Sequence, residues 1–187
     1  HHQKDPDIVP FPETVKDYVR MILGAEFWPK LLGTLWRGTT GRFNERELSF
    51  IPASGVSRVS WEIRLTVLLY LAIAAAATWY GAWPQLVWYW LLPRVLGEPV
   101  LRAIRMAEHT GAEESPNLLK NTRTTLANPV FCTLYWNMPY HAEHHVASSV
   151  PFHALPRLHA ELRPHLGNVA AGYWEVHKGI LGQVLAG

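Results

Sequence analysis

Three histidines within five residues, His141-Ala142-Glu143-His144-His145, are the part of this sequence best equipped for chemistry. On an α-helix, positions i, i+3 and i+4 share one face, so the three imidazoles would converge on one point. Neutral imidazole suits zinc, copper, iron and nickel. Structural zinc sites usually add cysteine. The single cysteine, Cys132, offers no ligand at useful spacing and forms no internal disulfide. The competing reading of the isolated cluster is a histidine patch on a surface helix. Two further groups point the other way. His109 sits in Ala107-Glu108-His109-Thr110-Gly111, and His1-His2 opens the chain ahead of Gln3-Lys4-Asp5-Pro6-Asp7, which is not a common tag remnant.

Several neighbours have two readings each. A metal-binding imidazole normally donates its other ring nitrogen to a carboxylate or carbonyl, and Glu108 and Glu143 are candidates for that second role; otherwise they face solvent. Asn137 lies four residues before His141. Inside the helix its amide would point at the metals and could hold a bridging water; as the N-cap it would satisfy backbone donors. Pro139 fits an early helix position. Arg123 is either a partner for an acidic group of a substrate or electron donor, or a surface charge. His153, His159, His165 and His177 lie in a Pro-punctuated C-terminal segment and read as structural or exposed.

The elements that must position these groups are helical and membrane-bound. Leu65 to Pro93 is a run of 29 residues without a charge. One span needs about 20 residues, so the run is long for one helix and short for two. Gly81 and Pro84 signal a turn in its middle, where Trp79, Tyr80 and Trp83 cluster as an interfacial belt would. The pattern predicts a hairpin, with one span over about 65–79 and a second starting near Pro84 and continuing past Arg94. Nine of the 17 Lys and Arg precede residue 65 and the rest lie at or after Arg94, so both basic flanks would face the cytoplasm. Arg94, Glu98, Arg102, Arg105 and His109 step by three or four, one stripe on a continuous helix. Pro99 predicts a kink or break near Gly97–Pro99, leaving the stripe secure only from Arg102 to His109, or else a solvated helix face. Val15 to Leu35 has amphipathic spacing, with Val19, Ile22 and Leu23 on one face and Lys16, Arg20 and Lys30 opposite. It reads as a helix at a bilayer surface or one packed on a soluble core. The net charge of +2 is too small to argue for nucleic acid.

Taken together, these pieces resemble the membrane fatty acid desaturase superfamily. Its members carry three histidine boxes: HxxxH or HxxxxH, then HxxHH, then HxxHH or QxxHH. His141-Ala142-Glu143-His144-His145, preceded by Asn137-Met138-Pro139-Tyr140, is similar to the third box. His1-His2-Gln3 with Asp5-Pro6-Asp7 resembles the end of the second. Glu108-His109-Thr110-Gly111 resembles the extra histidine segment after the transmembrane hairpin. Asn121-Thr122-Arg123-Thr124-Thr125 and Val150-Pro151-Phe152-His153 are similar to stretches of bacterial members. The first box is missing, so the expectation is a C-terminal fragment that is inactive alone.

The resemblance implies an all-α, integral-membrane fold: one partial domain over 1–187, with cytoplasmic or interfacial helices at 1–64, a transmembrane hairpin at 65–97 and a cytoplasmic histidine-rich cap at 98–187. It implies two non-haem iron ions held by His1, His2, His109, His141, His144 and His145 among others, with Asn137, Glu108 and Glu143 around them. Breaking an unactivated C–H bond needs a redox metal and O2, and zinc has no redox chemistry. The implied reaction is O2-dependent desaturation of a fatty acyl chain, with electrons from an external donor protein and the active site on the cytoplasmic side of a bacterial inner membrane. A hydroxylase or ketolase of alkanes, carotenoids or sphingolipids, a desaturase of a small amphiphile, and a non-catalytic zinc-binding membrane protein are the alternatives.

Overall fold

The computed structural model describes residues 9–113, 115 and 117–186. The elements run α1 (Val15–Ile22), α2 (Phe27–Thr40), α3 (Glu45–Leu48), α4 (Val56–Trp79), α5 (Trp83–Leu86), a π-helical turn (Val87–Leu91), α6 (Leu92–His109), β1 (Thr124–Thr125), α7 (Pro129–Leu134), α8 (His141–Val146), α9 (Leu155–Leu162), β2 (Val169–Ala170) and α10 (Tyr173–Ala186). The fold is mostly helical, as expected. The two strands pair in parallel, Thr124 with Val169 and Thr125 with Ala170. Two compact units result. One joins the N-terminal residues up to Leu23 with Val100–Gly187, and the other is Gly24–Pro99.

In the Gly24–Pro99 unit, α4 is the helix long and apolar enough to cross a membrane among the described residues; with its preceding turn it covers Ala53–Trp79. Twenty-seven residues rise about 40 Å, against a hydrocarbon core of about 30 Å. The helix extends N-terminally of Leu65 to Val56, where its charges are met locally. Arg58 pairs with Glu62 one turn on at 2.9 Å, and Arg64 Nε donates to the Thr39 carbonyl. α2 packs closely here. A Cβ on Gly38 would lie 2.2 Å from Ile63 Cδ1, and Ser60 donates its hydroxyl to the Gly38 carbonyl at 2.6 Å. The short α3 is held by a capping box between Asn44 and Glu47. Arg37 forks onto Glu47 and holds its carboxyl down at about 2, with burial opposing.

After α4 the chain turns through Gly81 at φ +62, a conformation that favours glycine. It comes back far enough for the Tyr70 and Trp90 rings to meet edge-on at 5.4 Å. The π-turn lies just before Pro93. Its wider winding suits a proline, which lacks an N–H and would crowd the carbonyl four residues back. Of the expected kink or break near Gly97–Pro99, a break does not occur: α6 runs unbroken through Pro99. One missing donor removes one rung, and the flanking turns hold. Arg94 and buried Glu98 pair across that stretch, so the stripe from Arg94 to His109 lies on one helix.

The other unit has a small apolar core of Met106, Ala107, Val176 and Ile180, against which Tyr18, Met21 and Ile22 pack. The expected amphipathic stretch is therefore two helices, parted at Gly24 with φ +66. α1 sits on a protein core through Ile22, while Val19 and Leu23 stay exposed. His177 staples three helices. Its Nδ1 accepts from Tyr18 at 2.9 Å, and its Nε2 donates to the Ala103 carbonyl at 3.0 Å. Burial pushes its pKa down, which keeps this neutral form.

Candidate metal centre

The last residue of α6 and one face of α8 meet. His141 Nε2 lies 3.0 Å from His109 Nε2 and 3.0 Å from His145 Nε2. The ligand atoms of these three residues lie within 4.8 Å of one another. Each neutral ring carries one N–H, and a single Nε2 facing two others cannot satisfy both by donating. In the tautomer with Nε2 unprotonated, the three rings would offer their lone pairs to one cation. Two ligands about 2.1 Å from a metal and at right angles would be about 3 Å apart, so the two spacings about His141 Nε2 fit. Burial, then the neighbouring His145, His109 and His144, lower the pKa of His141 to about 2. Its lone pair is free of protons at any ordinary pH, the form that binds metal. His141 Nδ1 is buried and meets no hydrogen-bond partner among the described residues.

His144 stands beside the trio without joining it. Its ring centroid is 6.2 Å from that of His141 and 6.0 Å from that of His145. His1 and His2 lie outside the described residues. Glu108, buried at the end of α6, brings Oε2 to 3.8 Å from His141 Nε2. Its carboxylate thus lies toward the converging nitrogens and not behind the ring. Tyr135 donates to its other oxygen at 3.4 Å. Burial, then the Glu108 charge, push the Tyr135 phenol up to about 12, so it stays a donor. Burial likewise raises Tyr173, which lies close to Glu108 and Tyr135.

Glu143 faces the other way. Fully buried, it accepts from Thr124 at 2.6 Å and from His159 Nδ1 at 2.5 Å. It does not reach back to an imidazole of the trio. Asn137 takes neither predicted role. It lies before α8 in a left-handed turn with Trp136, at φ 54 and 53, and donates to the Phe152 carbonyl at 3.1 Å. The N-cap of α8 is Tyr140. Arg123 is half-buried, and its guanidinium Nη1 donates to the carbonyls of Ala107 and Thr110. His159 and His177 are buried and structural, and His153 and His165 are exposed, as anticipated. Thr124 stood in the sequence only as part of the stretch Asn121-Thr122-Arg123-Thr124-Thr125, with no role of its own.

Among the described residues, one helix is long and apolar enough to cross a membrane, and three histidines lie close enough to hold a metal ion. The family model for fatty acid desaturases matches residues 1–177, and the chain belongs to that family. No curated protein and no solved structure matches it. Membership makes it a desaturase-like oxidase in general, of a membrane-associated and generally di-iron family.

Proposed function

We propose that the chain carries part of the di-iron centre of an enzyme that desaturates fatty acyl chains in the membrane, using O2 and electrons from a separate donor protein. The observation that carries this reading is the meeting of His109, His141 and His145 through their Nε2 atoms. In the proposal these three hold one iron, and His144, with His1 and His2, serves the second. In the same proposal α4 and the run from Trp83 form a transmembrane hairpin, and the active site is cytoplasmic. Bound iron supplies the redox chemistry with O2 that an unactivated C–H bond requires. The overall reaction takes two hydrogens from adjacent carbons and, with two electrons and two protons from the donor side, reduces O2 to two waters.

The chain's own residues prepare that chemistry. His141 presents a neutral ring because burial disfavours its charged form. Glu108 brings negative charge to the nitrogen-lined side of the site, where it offsets the charge of the cations. Tyr135, held protonated, donates to that carboxylate and fixes it. The lipid substrate explains why the centre sits in a chain whose longest helix exposes Leu65, Leu68, Leu69 and Leu71.

The test is product analysis. The full coding region should be reconstituted in lipid with ferrous iron, O2 and a reductase system, and acyl chains examined by mass spectrometry. A loss of two hydrogens per chain is the expected result. A gain of one oxygen would make the enzyme a hydroxylase. Unchanged chains, with zinc in the purified protein, would overturn the reading.

A further inference from the structure

We propose that two adjacent residues, Arg123 and Thr124, are positioning residues that set His109 against His141 and His145. The inference rests on the reading of those three histidines as metal ligands. Residue 123 grips the end of α6. Its backbone N–H donates to the Glu108 carbonyl at 2.8 Å, and its guanidinium Nη1 donates to the carbonyls of Ala107 at 2.5 Å and Thr110 at 3.1 Å. The last carbonyls of a helix have no partner within it, and a cation there also complements the helix dipole. His109 is thus bracketed on both sides by carbonyls tied to one residue.

Residue 124 grips the other ligand segment. Successive side chains of an extended segment point to opposite sides. As Arg123 reaches α6, Thr124 reaches α8 and donates its hydroxyl to Glu143 Oε2 at 2.6 Å. That carboxylate is fully buried and belongs to the helix turn that carries His141 and His145. His159 from α9 meets its other oxygen. The strand is anchored in turn: Thr124 N–H donates to the Asn168 carbonyl, and Thr125 N–H to the Pro139 carbonyl just ahead of α8, each at 3.0 Å.

The two ligand segments are far apart in sequence, and neither fixes itself. α8 has six residues and no side-chain cap. A metal site tolerates ligand errors of only about 0.2 Å, which nonspecific apolar packing does not secure. Two neighbouring residues hydrogen-bonded in opposite directions supply the missing ruler. Neither touches a ligand nitrogen; both act through backbone position.

The test uses the full chain in detergent micelles, titrated with cobalt(II) and followed by its ligand-field absorption, beside thermal unfolding of the metal-free protein by circular dichroism. Thr124→Val removes the hydroxyl and keeps the shape; Thr124→Ser keeps the hydroxyl. Thr124→Val should bind the first cobalt about 10–100-fold more weakly, with a changed absorption envelope, and Thr124→Ser should restore both. Arg123→Lys keeps the charge, but its shorter stem brings no nitrogen to the place where Nη1 meets both carbonyls, and the change should weaken binding in the same direction even if Thr124→Val fails to fold. Wild-type affinity and spectrum in Thr124→Val and Arg123→Lys would overturn the inference while leaving the metal reading intact. So would a loss shared equally by Thr124→Ser in step with a lowered unfolding midpoint. A wild-type chain that takes up no cobalt would overturn the metal reading itself.

Discussion

Replacing His141 by alanine tests the centre most directly, because its Nε2 is the atom the other two share. Structural zinc sites with four ligands are worth about 10–16 kcal/mol, or about 3 kcal/mol per ligand. The trio is already gathered within 4.8 Å, so little of that is spent on assembling it. His141 stays unprotonated down to about 2, so near neutral pH no proton there competes with the metal. His141→Ala should therefore weaken the first cobalt(II) equivalent by about a hundredfold. His109→Ala and His145→Ala should do likewise. His144→Ala should leave that first equivalent within a few-fold of wild type, because its ring lies beyond the cluster. Isothermal titration of the metal-free chain, with the absorption spectrum recorded in parallel, reads all four variants. A first equivalent that survives loss of His141, or one that His144→Ala damages as badly, would refute the three-nitrogen centre.

Two further outcomes test the frame around it. Gly38→Ala should destabilise the Gly24–Pro99 unit by about 1–3 kcal/mol, because the new Cβ meets Ile63 Cδ1 at 2.2 Å. Adding Ile63→Val deletes the colliding atom and should recover much of the loss in denaturant melts; no recovery would refute the contact. Glu47 has its pKa lowered in the fold, so its pairing with Arg37 stabilises above the usual carboxylate range and is lost as pH falls toward about 2. Glu47→Gln should cost about 2 kcal/mol at neutral pH, after allowing for solvent at Arg37, and flatten the acid limb of a stability profile.

Much of this was legible in the sequence because it is periodic. The charge-free run gave the membrane-length helix, and the HxxHH spacing gave the gathering of imidazoles on α8. The part of HxxHH that failed to gather has a geometric cause. Steps of about 100° place His144 and His145 on opposite sides of His141, about 100° apart around the helix, and His109 arrives on the His145 side. Which flank a second segment approaches is a tertiary fact with no local signature. Pro99 was read as a kink or break because proline rules describe local cost, and the helix nonetheless continues through it. β1 was missed because a two-residue strand has no period to detect. Arg123 read as a partner for an acid or a surface charge, because a cation bound to a helix end looks the same in sequence as either.

The interior around the centre explains why hydrogen bonds, more than apolar packing, hold the ligands. Its apolar core is small, while Glu108, Thr110, Thr122, Thr124, Thr125, Glu143 and His159 are all buried in the same unit. Burying such groups costs free energy unless each finds a partner. Several find them on the ligand-bearing segments, Thr124 and His159 on Glu143 and Tyr135 on Glu108, while the Thr110 and Thr125 hydroxyls meet none among the described residues. Satisfying those groups fixes direction as well as energy, because a hydrogen bond weakens steeply when misaligned. An all-apolar interior would have bound α8 to α6 at least as strongly, yet would have left its rotation about the helix axis loosely set. Rotation is the variable that decides whether His141 and His145, or His144, face His109. The polar interior is therefore the feature that selects which nitrogens meet.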